Sequence, residues 1–129
     1  MTLSDPEVAV LARQAVDLLD PGLAIDIEPR GGTDPYRFDS AAWTIWPLID
    51  GHRAFGIGVD ARMTSSRALA RMIDVLSEYS SESSRFWSAA FPGCLPGHRH
   101  PSDVDAEADE VVLRCPDTHE VVDRIRPAL

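Results

Sequence analysis

At 129 residues the chain can bury a core of its own, so it needs neither disulfides nor a metal to fold. Its 21 acidic residues outnumber its 12 basic ones, all arginine, and the formal charge of −9 argues against nucleic acid or an anionic membrane as partner. No apolar run approaches the ~20 residues that span a bilayer.

The first residues show no basic segment followed by an apolar one, so no signal peptide is expected. With only Cys94 and Cys115, this predicts a cytoplasmic protein with reduced thiols.

Ser4-Asp5-Pro6-Glu7 reads as a helix start. Ser4 caps, Pro6 suits the first turn and Glu7 completes a capping box. Val8, Leu11, Ala12, Ala15, Leu18 and Leu19 follow at helical spacing, and Asp20-Pro21-Gly22 stops the helix. Leu23 to Glu28 alternates as a half-buried strand with Leu23, Ile25 and Ile27 inward. Pro29 to Asp39 reads as a loop.

Two β-rich runs, Ala41 to Ile49 and His52 to Val59, flank the hairpin signal Asp50-Gly51. A two-residue turn sets Trp43 opposite Gly58 and Ile45 opposite Gly56. It also puts Pro47 at a hydrogen-bonded position, which calls for an edge strand or a longer loop. Ser65 to Ala90 is helical in spacing through Leu69, Met72, Ile73, Leu76, Tyr79, Ser83, Phe86 and Trp87, with a weak stretch at Ser80 to Ser84.

Cys94 to Glu110 reads as a loop. Strands from Val111 to Cys115 and Glu120 to Ile125 then flank the turn Pro116 to His119. The whole predicts one α+β domain over 1–129. An antiparallel sheet carries helices on one face, and 92–129 forms a Cys/His-rich subregion ending in a hairpin.

The chemistry concentrates in that subregion. Both cysteines and three of the four histidines fall between Cys94 and His119. Zinc takes about four nitrogen or sulfur donors in a tetrahedral shell. The candidate ligands are Cys94, His98, His100 and Cys115, or the same set with His119 replacing one histidine. Competing readings are exposed loop histidines beside small buried cysteines, and a Cys94–Cys115 disulfide.

The segments Cys94-Leu95-Pro96-Gly97-His98-Arg99-His100-Pro101 and Cys115-Pro116-Asp117-Thr118-His119-Glu120 resemble a group of short, uncharacterised actinobacterial proteins. Those carry Cys-Pro-Gly-His-x-His-Pro followed by a Cys-Pro-x-x-Gly-Glu hairpin. In this chain Leu95 lengthens the first spacing by one residue. His119 stands where the group has Gly, at a turn position suited to φ > 0. The resemblance implies a Cys/His cluster and no activity.

Other signals are weaker. His98, His100, Asp103 and Asp105 faintly suggest a metallo-hydrolase run, which would need further ligands. The acidic run Asp103, Asp105, Glu107, Asp109 and Glu110 fails as a calcium loop, because Ala108 and Arg114 occupy the positions that need Gly and Glu. Arg62, Arg67 and Arg71 near the start of the long helix suit an anion site, or pair locally as Asp60–Arg62 or Arg71–Asp74. Trp43, Trp46, Phe55 and Trp87 suit a core better than a ligand pocket. No Gly-rich phosphate loop or nucleophile elbow is present.

The functional expectation is a non-enzymatic domain that binds another protein and is braced by zinc. The rivals are a small metal-dependent hydrolase and an anion- or metabolite-binding module.

Overall fold

The structure, a computed structural model, describes residues 2–29, 41–82 and 90–129. Helix α1 (Asp5–Leu19) begins as its sequence demands. The Ser4 hydroxyl accepts the Glu7 N–H, and the Glu7 carboxylate accepts the Ser4 N–H at 3.0 Å. This reciprocal cap satisfies donors that the first turn leaves open. Val8, Leu11, Ala12, Ala15 and Val16 form its buried face. Leu18, expected inward, is instead 45% exposed.

Strand β2 (Ala41–Ile49) is the centre of a first antiparallel sheet. β1 (Ala24–Pro29) lies on one side of it, and β3 (His52–Arg53) and β4 (Ile57–Asp60) on the other. Ile25 and Ile27 pair with Pro47 and Ile45, so the alternation read from the sequence sets one face toward the helices. The Trp43 Nε1–H donates to the Asp5 carboxylate at 2.7 Å and ties this sheet to the start of α1.

The turn is the expected one. Asp50 and Gly51 both take positive φ, +51° and +80°, and Ile49 pairs with His52. The register beyond it departs from expectation. Ile45 pairs with Ile57 and Trp43 with Val59, not with Gly56 and Gly58. Pro47 explains where the ladder fails. Its carbonyl accepts the Ala54 N–H at 3.3 Å, but it has no N–H to return.

The chain leaves the ladder over residues 54–56 and rejoins one residue later, which exchanges the faces of Ile57 to Val59, until a second bulge between Ala41 and Trp43 restores the register at Asp60. Ile57 and Val59, 1% and 0% exposed, thereby reach the core that a straight hairpin would have lined with glycine. Pro47 therefore sits in a central strand, not an edge, beside a bulge that absorbs its defect. Gly56 is part of the same solution: a Cβ there would stand 3.0 Å from the Trp46 ring.

Helix α2 (Ser65–Glu82) is capped by Thr64, whose hydroxyl accepts the Arg67 N–H at 3.3 Å. It buries Ala68, Leu69, Met72, Ile73 and Leu76, and Tyr79 stacks on Phe55. Ser83, Phe86 and Trp87 lie outside the described residues, and Ala90 is not helical.

The acidic segment expected as loop is a strand. β5 (Asp103–Glu107), β6 (Glu110–Arg114) and β7 (Val121–Ile125) form a second, three-stranded antiparallel sheet, so the described residues form two sheets where one was expected. Ala108, at φ +43°, makes the β5–β6 turn, and its carbonyl accepts the Ser66 hydroxyl at the start of α2. Helix α2 contacts both sheets, and a single buried cluster runs from Val8 through Ile45 and Leu69 to Leu113.

Beyond β7 the Gln14 side chain holds the chain. Its amide nitrogen donates to the Arg126 carbonyl and its oxygen accepts the Ala128 N–H, at 2.7 and 2.9 Å. Among the described residues no helix is long and apolar enough to cross a membrane.

A candidate Cys2His2 metal centre

Two turns build the site. Leu95-Pro96-Gly97-His98 closes through the His98 N–H to the Leu95 carbonyl at 3.0 Å, with Gly97 at φ +84°. Pro at the second position and a positive-φ Gly at the third are what this turn type requires. The turn folds His98 back toward Cys94. The base of the loop is tied by the Ser102 N–H to the Pro92 carbonyl at 3.0 Å.

The second turn follows β6. Cys115 and Glu120 are joined through the Cys115 N–H, and the His119 N–H returns to the Cys115 carbonyl, both at 2.9 Å. His119 takes φ +65° to make this turn.

Together they bring four donors to one point. One ligand atom from each of Cys94, His98, His100 and Cys115 lies within 4.8 Å of all the others. The cluster can coordinate a metal ion. The two sulfurs stand 3.6 and 3.5 Å from His98 Nδ1. A tetrahedral zinc, with bonds of ~2.3 Å to sulfur and ~2.0–2.1 Å to nitrogen, sets such atoms about 3.5 Å apart.

His100 completes the set. Its Nδ1 lies 3.1 Å from the Pro101 carbonyl, and its buried Nε2 lies 3.3 Å from the Asp117 carboxylate. Both neighbours are acceptors, and a bound cation is one way to reconcile Nε2 with the carboxylate beside it.

His119 is exposed and falls outside the set of four. Two residues the sequence reading passed over matter more. Asp117 lies 3.3 Å from His100 Nε2, and Thr118 hydrogen-bonds the Cys115 sulfur. A polar Asp-Thr pair directly after Cys-Pro was the available signal.

The two thiols differ. Burial works against ionisation of Cys115, but hydrogen bonds from the Thr118 hydroxyl and from the Thr118 and Asp117 backbone outweigh it and bring the thiol down to about 6. Burial pushes the Cys94 thiol up, and the neighbouring Cys115 and Asp117 add to that. A depressed thiol stabilises the fold above its unfolded value of ~8.5, and that contribution is lost as pH falls through about 6.

At pH 8 Cys115 is therefore already a thiolate when metal arrives, and Cys94 still holds its proton. Zinc titrated calorimetrically in two buffers of different ionisation enthalpy should release about one proton per ion. Thr118→Val should move that count toward two. A count near two in the native chain would contradict the depressed Cys115 thiol.

Two of the three arginines near the start of α2 have local partners. Arg62 pairs with Asp60 at 3.3 Å, as the local-pairing reading had it, and Arg71 Nε donates to the Gly58 carbonyl. Arg67 is exposed. Trp43 belongs to the core, whereas Trp46 sits under the Arg53 guanidinium, 5.0 Å from its ring. Trp87 lies outside the described residues.

Comparison with protein-family models, with curated proteins and with solved structures finds no match to this chain.

Proposed function

We propose that the chain is a single, non-enzymatic α+β domain, cytoplasmic, that binds another protein and whose 92–129 region is braced by a structural zinc ion. The observation that carries the metal is the spacing of both sulfurs about His98 Nδ1, 3.5 and 3.6 Å, with a ligand atom of His100 within 4.8 Å of the other three donors. Two thiolates and two imidazoles balance the charge of a divalent ion. They also fill a tetrahedral shell, leaving none of the open positions that hydrolytic zinc needs.

Zinc would join the 94–101 loop to the end of β6. The formal charge of −9 suits a basic protein partner, whose approach it would speed.

The test is metal analysis of protein purified without a histidine tag. One zinc per chain is expected, with cobalt substitution giving the intense visible bands of a tetrahedral thiolate site. A chain that takes up neither metal would refute the brace.

A further inference from the structure

We propose that Cys94 and Cys115 form a hydroperoxide-responsive disulfide whose closure ejects the metal. The release rests on the zinc reading above; the thiol chemistry stands without it.

Both cysteines are free, and their sulfurs lie no more than 4.8 Å apart. A disulfide needs ~2.05 Å between sulfurs, so a modest closing movement suffices. That movement falls to the Cys94 side, because Cys115 is fixed at the end of β6 by its turn.

Access is one-sided. Cys115 is 0% exposed. Cys94 lines a cavity of about 320 Å³, with Leu18, Phe91, Leu113, Val122 and Ile125 among its walls. A water molecule occupies ~30 Å³ of liquid, so a small hydroperoxide has room to enter.

The chemistry follows from that asymmetry. Cys94, a thiolate when it holds zinc and otherwise after losing its proton to water, attacks one oxygen of the hydroperoxide. The O–O bond breaks, and the departing oxygen takes a proton from water and leaves as water or an alcohol. Cys94 is then a sulfenic acid. The Cys115 thiolate attacks the Cys94 sulfur and expels hydroxide, which is protonated to water. Two sulfurs have lost two electrons and the peroxide bond has gained them. The disulfide is neutral and a poor ligand, so the ion keeps only two imidazoles and leaves.

The experiment uses the wild-type chain, loaded with zinc, and hydrogen peroxide. A chromophoric chelator should register one zinc released for each intramolecular disulfide. Intact-mass spectrometry should show the loss of two hydrogens, and a thiol reductant with added zinc should reverse both. Cys115→Ser should stop at a Cys94 sulfenic acid that a cyclic dione traps.

The proposal fails if Cys94 passes to sulfinic acid without cross-linking, if disulfides form only between chains, or if the disulfide forms and zinc stays bound. A chain that never binds zinc yet cross-links internally keeps the thiol pair and removes the zinc reading. A chain that binds zinc and does not cross-link does the reverse.

Discussion

Cys115→Ala is expected to lower the melting temperature of the zinc-loaded protein by about 15 °C. Loss of one of four ligands should weaken zinc at least about a thousandfold, ~4 kcal/mol. A ligand held at a thousand times its dissociation constant stabilises by that same ~4 kcal/mol, and each kcal/mol moves a chain of this size by ~3–5 °C. Calorimetry with and without a strong chelator checks it.

The chelator should bring the native chain most of the way down to the variant and leave the variant unmoved, the remainder being the Cys115 sulfur's own hydrogen bonds. The domain should still melt cooperatively after losing zinc, because the cluster from Val8 to Leu113 does not depend on it. Classical zinc fingers, by contrast, unfold outright.

Ile45→Ala should act on the other half of the molecule. Ile45 is 0% exposed at the middle of β2, paired with Ile27 on one side and Ile57 on the other. Neighbours held in two ladders cannot collapse to fill the space, so the cost should be ~3–4 kcal/mol. Urea unfolding of the zinc-free protein measures it. Zinc affinity of the folded variant should not change, since β2 contributes no ligand. A tenfold loss of zinc affinity in this variant would show that the core shared by the two sheets transmits the defect from β2 to the metal site.

The parts of this molecule that were legible in advance are those set by neighbours in the chain. The α1 cap depends on Ser4 and Glu7 three residues apart, and the Asp50-Gly51 turn on two positive-φ positions. The register after that turn was not legible. It depends on how the missing Pro47 N–H is absorbed and on Trp46 lying against Gly56, both of them tertiary facts.

Strand β5 escaped because its outward residues are Asp103 and Asp105, and an acidic edge strand carries little apolar signal. In the cluster, residue types and spacing pointed to Cys94, His98, His100 and Cys115. They could not separate those residues from His119, because the choice is made by a turn that needs His119 in the left-handed region and leaves it exposed. Nor could spacing show that the Pro101 carbonyl and the Asp117 carboxylate flank the His100 ring.

The grip of Gln14 on residues 126 and 128 has a bearing on self-association. A lone carboxamide imitates a neighbouring strand there, with one donor and one acceptor placed two residues apart. The Arg126 carbonyl and the Ala128 N–H are thus closed to a foreign strand, so a single side chain removes two of the groups on which strand addition past β7 would nucleate.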